Sequence, residues 1–223
     1  MSSTAGRAPG RLPSGRHKLS REFVVSSQRD RMLDAMAEAC AEKGYGQVSV
    51  ADVVSRASVS RATFYEMFGG KEDCFLAAYD AILGKFMGSV VAAYQSEESW
   101  PDQVRAGIGE ILTFMAAEPA FARMCMVEVL AAGPLALERY LAAARLFASL
   151  LDEGRTYAPE RANLPSSLPR AVVGGGELAI RDAIISGRTE RLPELLPDLL
   201  YAALAPFLGR DQALEAARRA AAG

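Results

Sequence analysis

Six side chains between positions 49 and 71 could do one kind of chemistry: Ser49, Ser60, Arg61, Thr63, Tyr65 and Lys71 donate hydrogen bonds, and two of them carry positive charge. None sits beside a base that would turn it into a nucleophile. A guanidinium such as that of Arg61 can fork onto O6 and N7 of guanine, worth about 1–3 kcal/mol of discrimination. Hydroxyls such as those of Thr63 and Tyr65 can donate to phosphate, which fixes register and carries no sequence information. Packing alone, with a wet hydroxyl, is the other reading of Tyr65. Lys71 would add its ammonium to the amides of a helix N-terminus around a phosphate. Ser49 and Ser60 are placed as helix caps and could contact phosphate as well. Ala62 shares the turn with Arg61 and Thr63 and belongs to the same candidate surface.

Such a surface has to be held by helices. Ser49 with Asp52 three residues on is a cap signature that opens a helix at Val50, closing near Ala57, and Ser60 caps another to about Met67 before Gly69-Gly70. Val53, Val54, Ala57, Val59, Phe64 and Phe68 can form a shared core beneath them. Helices this short need a platform. Leu33, Met36, Ala37 and Cys40 supply one, at i, i+3, i+4, i+7 spacing, with Ser27 and Asp30 as its expected capping box and Gly44 as its stop. The layout is a helix-turn-helix, whose second helix enters the major groove of DNA.

The remainder also has helical period. A long helix is expected from Lys71 to about Tyr94, carrying Phe75, Tyr79, Ile82, Phe86 and Val90. Pro101 restarts the chain ahead of the stripe Val104, Ile108, Ile111, Leu112 and Met115. Further helices are expected at Pro119–Ala131, Pro134–Arg155, Arg170–Ser186 and Leu192–Leu208, with a short one from Asp211 and a loop over Thr156–Pro169. The fold class is all-α: a disordered basic arm at 1–25, a three-helix DNA-binding domain at 26–70 and a larger ligand-binding and dimerisation domain at 71–223.

Charge supports the division. Residues 1–71 hold eleven basic and seven acidic side chains, +4, so the rest of a chain of net charge −2 carries −6. Arg7, Arg11, Arg16, Lys18 and Arg21 could enter an adjacent minor groove or, more simply, give non-specific attraction. The one histidine, His17, and three scattered cysteines, Cys40, Cys74 and Cys125, leave no triad, metal site or disulfide framework, and no cofactor is implied. The apolar stretches fall short of a membrane span, and the N-terminus lacks the apolar region of a signal peptide. A cytoplasmic protein is the expectation.

Residues 49–71 resemble the TetR family of bacterial transcriptional regulators, whose pattern Thr-Val-x-x-Ile-Ala-x-x-Ala-Gly-Val-Ser-x-x-Thr-x-Tyr-x-x-Phe-x-x-Lys is met here by Ser49, Val50, Val53, Val54, Ala57, Ser58, Val59, Ser60, Thr63, Tyr65, Phe68 and Lys71. Three positions depart: Ser49 for Thr, Val54 for Ala and Ser58 for the turn glycine. The last costs roughly 1 kcal/mol if the turn keeps positive φ, or relaxes the turn. The motif resemblance covers about residues 26–80. It implies a homodimer built by the last two long helices and release from a DNA operator by a small ligand.

On that basis Phe86, Phe114, Met115, Met124, Met126 and Phe147 are candidate pocket residues for an apolar effector, ordinary core being the alternative for each. Glu128 interrupts an apolar helix and could anchor a ligand, pair with Arg123 or face water. Cys125 could sense redox state or be a buried thiol. Gly174-Gly175-Gly176 lacks the Gly-Lys-Ser/Thr of a phosphate loop and suits close helix approach. With Val172, Val173, Gly176, Ala179, Ile180 and Ile184, and Leu195, Leu199, Ala203 and Phe207, it is expected to form a four-helix dimer seam. The function implied is a ligand-responsive dimeric repressor without enzymatic activity. A small helical enzyme or a non-specific architectural DNA binder are the alternatives.

Overall fold

The computed structural model describes residues 21–158 and 163–222, and every regular element among them is helical. The arm residues 1–20, with His17 and four of the five arm cations, lie outside the described residues. In chain order the helices are α1 (Arg21–Lys43), α2 (Val50–Ala57), α3 (Arg61–Met67), α4 (Lys71–Gln95), α5 (Trp100–Ala117), α6 (Pro119–Met126), α7 (Pro134–Asp152), α8 (Gly154–Tyr157), α9 (Leu168–Ile185), α10 (Leu196–Leu208) and α11 (Arg210–Ala222). Short 3₁₀ turns sit at Tyr45–Gln47, Glu128–Ala131 and Thr189–Leu195.

Several expected boundaries shift, each for a local reason. α1 is already helical at Arg21, so residues 21–25 are not arm, and Ser27 and Asp30 lie exposed inside the helix rather than capping it. The expected helix through Ala131 stops being α-helical at Met126. Val127, with φ −117° and ψ −60°, switches the winding, and Glu128 turns inward on the 3₁₀ turn that follows. The helix expected to reach Arg155 divides at Glu153, and Gly154 starts α8 beneath Trp100 and Phe207. The helix expected from Leu192 begins as a 3₁₀ turn, because Pro193 and Pro197 cannot donate to an α-helical ladder.

α4 is the axis of the molecule. By length and composition it could cross a membrane, but it is packed against α1 and α5 and buries Phe75, Tyr79, Phe86, Val90 and Tyr94. One apolar cluster runs without interruption from Met32, Val53, Phe64 and Phe68 through Phe75 and Phe86 to Phe121, Ile180 and Ile184. The head therefore shares its core with the body, and α1 packs on α6 as well as on α4. A second cluster, around Tyr94, Trp100, Leu200, Leu204 and Phe207, closes the far end.

Candidate nucleic-acid interface and an apolar cavity

The local chemistry of residues 44–70 sets how α3 is presented. Gly44, at φ +78°, ends α1 with its N–H on the Cys40 carbonyl at 2.9 Å. Ser49 then closes a capping box: its Oγ accepts the Asp52 N–H at 3.3 Å while Asp52 Oδ2 accepts the Ser49 N–H at 2.9 Å. Lys43 holds the same carboxylate and, with Ser49, keeps Asp52 well below the usual carboxylate range. Ser58 is the hinge between α2 and α3. It adopts φ 53°, ψ 49°, so the serine takes the left-handed conformation instead of relaxing the turn. Ser60 Oγ accepts the Thr63 N–H at 3.0 Å and starts α3.

α3 is fastened by Phe64 and Phe68, 0% and 2% exposed, each stabilising the unit by about 1.5–3 kcal/mol on burial. On its other side Arg61, Ala62, Tyr65 and Glu66 face out, and Tyr65 is 58% exposed with its ring edge-on to Phe64. Among the described residues the Arg61 guanidinium has no hydrogen-bond or ion-pair partner. Of the other head cations, Arg31 on α1 is likewise exposed, whereas Lys43, Arg56 and Arg29 are engaged. Arg56 forks onto Glu42 at 2.6 and 2.9 Å and reaches Glu38, and Arg29 covers the Phe68 ring at 4.9 Å. Thr63 is half-buried with its Oγ1 2.9 Å from Ser60 Oγ, and Ser49 Oγ donates to Asp52 Oδ2 at 2.7 Å, so these hydroxyls are used locally first.

Lys71 departs from expectation. Its ammonium donates to the Tyr45 carbonyl at 3.0 Å and lies 4.2 Å from the centre of the Tyr45 ring. α4 begins beside the 3₁₀ turn at 45–47, and the nearest acceptor lies across that seam, not outside. The lysine ties head to body through one of its three N–H donors.

In the body, α4, α5, α7, α9 and α10 enclose a cavity of about 330 Å³, within the size range of small-molecule sites. Met115, Met126 and Phe147 line it, as three of the six pocket candidates. Phe86, Phe114 and Met124 do not. Phe114 meets Phe86 and Phe121 edge-on in a cluster behind the wall, and Met124 is fully buried in the core. The rest of the wall comes from Val90 and Tyr94 of α4, Val104, Ile108 and Ile111 of α5, and from α9 and α10. The stripes on α4 and α5 are visible in the sequence, but periodicity alone does not say which part of a stripe meets empty space.

The α9 and α10 contribution includes residues expected at the dimer seam. Val172, Val173, Gly176, Ile180, Leu199 and Ala203 line the cavity, and Ile184 and Phe207 are buried within the same chain, with Leu195 and Ala179 half-buried. Within this chain these side chains meet the cavity or the core around it. The opposite face of α9 carries Gly174, Leu178 and Ile185, with Leu178 63% and Ile185 61% exposed, and exposed Tyr201 lies on α10.

Among the described residues Glu177 is the one carboxylate on the cavity wall, and Glu128 is not there. Glu128 is 6% exposed, accepts the Tyr45 N–H at 2.7 Å through Oε2 and sits 3.1 Å from Arg123 Nε through Oε1. Cys125 is 3% exposed and burial pushes its thiol well above the ordinary value, which disfavours the thiolate that redox sensing needs. Burial likewise pushes Cys40 and Cys74 up to about 12. Among the described residues no group of acids, cysteines and histidines could hold a metal ion.

Comparison with known proteins follows the same division. Residues 32–78 match the family described as bacterial regulatory proteins, tetR family. The HTH-type transcriptional activator FasR of Mycolicibacterium smegmatis is 22% identical over 115 residues, and the match spans about half of each chain, 52% of both. The fatty acid degradation regulator FadR of Bacillus halodurans superposes with a TM-score of 0.71 at 21% identity, covering 79% of this chain and 94% of that one. FadR of Bacillus subtilis, crystallised in complex with stearoyl-CoA, gives 0.70 at 19% identity over 81% and 98%.

Proposed function

We propose that this chain, whose residues 32–78 match the family of bacterial regulatory proteins, tetR family, is a dimeric repressor of that family whose α3 reads a near-palindromic operator and whose cavity takes an effector with an acyl chain. The observation that carries the DNA reading is the two-sided α3: Phe64 and Phe68 anchored in the core, Arg61 and Tyr65 outward, and the Arg61 guanidinium unspent. Arg61 is the base reader, Ala62 offers a methyl to a thymine, and Tyr65 with Thr63 donates to phosphate. Ser49 and Ser60 act first as caps. In a dimer the two α3 helices would meet half-sites roughly 34–36 Å apart, or a multiple.

The test uses a duplex selected by the wild-type protein from a random library. Arg61→Ala should weaken binding by about 1–3 kcal/mol and flatten the preference at one base position, with dimerisation unchanged. A uniform loss across sequences would remove the base-reading role, and equal wild-type affinity for every duplex would leave an architectural binder.

The apolar cavity, its methionines and the stearoyl-CoA complex of the Bacillus subtilis relative support the acyl effector. Stearoyl-CoA should release the duplex if it prefers a body conformation in which the heads are misplaced, and only by its differential affinity for the two states. The activator reading, favoured by the name of the FasR relative, differs in sign: transcription from a promoter overlapping the selected site should rise with added protein, not fall.

A further inference from the structure

The carboxylate on the cavity wall starts a path of hydrogen bonds that, with one two-residue stretch of backbone, ends in the DNA-reading head. The Tyr140 hydroxyl donates to Glu177 Oε2 at 2.6 Å. Arg181 donates from Nη2 to the Tyr140 oxygen at 2.8 Å and from Nε to the Met126 carbonyl at 2.6 Å. Met126 lines the same cavity and is the last residue of α6. Two residues on, Glu128 is buried and holds the Tyr45 N–H, 83 positions away in sequence, between α1 and α2. The Gly44 backbone comes close enough that an added Cβ would stand 3.4 Å from the same carboxylate oxygen. Lys71 takes the carbonyl of Tyr45 from the other side.

We propose that Glu177, Tyr140, Arg181 and Glu128 form a relay through which the state of the cavity sets the position of Tyr45 and so of the α2–α3 unit. The inference rests on reading the cavity as the effector site and gives that site its line to the DNA. Each link restricts the next. Arg181 is planar and fixed at two points, so a shift at Glu177 or Tyr140 moves its other fork on the Met126 carbonyl. That carbonyl belongs to the backbone that leads into the turn bearing Glu128. A buried carboxylate does not change partners freely, because a lost bond strands both the charge and the Tyr45 N–H. Burial, and then the bond to Glu177, push the Tyr140 hydroxyl up to about 12, so it remains the proton donor in this chain at neutral pH.

The test needs no effector. Tyr140→Phe removes one hydroxyl at the cavity and keeps the ring. Glu128→Ala removes the acceptor at the head, and Glu128→Gln retains an oxygen for the Tyr45 N–H. In the intact chain, Tyr140→Phe should speed hydrogen exchange at the Tyr45 amide and change affinity for the selected duplex by about 3- to 10-fold. In the Glu128→Ala background the same change should have no further effect, and Glu128→Gln should restore part of it. Additive effects, or a Tyr45 amide indifferent to Tyr140→Phe, overturn the relay. If Glu128→Ala does not fold, the exchange rate at Tyr45 in Tyr140→Phe alone decides. A relay that passes while stearoyl-CoA fails to release the duplex would sink the acyl-effector reading and leave the relay standing.

Discussion

At single positions the chain spends stability where it places α3. Ser58 is the one non-glycine among the described residues with positive φ, at the hinge that sets the angle between α2 and α3. Ser58→Gly should raise stability by about 1 kcal/mol, seen as a higher urea midpoint at unchanged slope. A lower midpoint would mean the serine hydroxyl earns its place through a contact made elsewhere. Lys71 carries the opposite lesson. Lys71→Met keeps the aliphatic stem and loses the bond to the Tyr45 carbonyl and the ring contact, so stability should fall by about 1–2 kcal/mol. The salt dependence of duplex binding should stay as in wild type, and a slope reduced by about one unit would return Lys71 to the phosphates. The sequence shows that Lys71 opens a helix beside a glycine pair. Which carbonyl lies across the seam depends on a tertiary contact that no local pattern encodes.

Among the elements, several helix ends marked by a cap or a backbone breaker are legible, whereas the cap signature at Ser27 and Asp30 misplaces the start of α1. Ser49, Ser60 and Gly133-Pro134 stand where the spacing puts them, and α2 and α3 keep the expected limits. The inward face of α9 was not legible, because that helix is apolar on two sides: Ile180 and Ile184 go in while Leu178 and Ile185 stay out. The cavity was half legible for the same reason. Its walls are ordinary stripes, and Met115, Met126 and Phe147 differ from Phe86, Phe114 and Met124 only in what the neighbouring helix leaves unfilled. The division of α7 from α8 has its own test. A Cβ on Gly154 would stand 2.6 Å from Trp100 ring carbons and 2.7 Å from Phe207, so Gly154→Ala should cost about 1–3 kcal/mol through overpacking. Trp100 is the one tryptophan of the chain, and its emission should shift if the ring is displaced.

For the whole molecule, the proposed dimer is placed on the apolar surface that α9 leaves open. Leu178→Glu should give a monomer in sedimentation with helix content unchanged, and operator affinity should fall by about 10²- to 10⁴-fold as two-headed binding is lost. A variant that stays dimeric would move the seam away from Leu178 and Ile185. The continuous apolar core and the Tyr45 seam bear on how such chains can recombine. A gene fusion cut near residue 70 would carry Tyr45 away from Glu128 and Lys71, and would set the half-core around Phe64 and Phe68 against foreign packing. Exchange of reading heads between relatives should therefore succeed only when the receiving chassis brings its own acid and its own amine to that backbone turn.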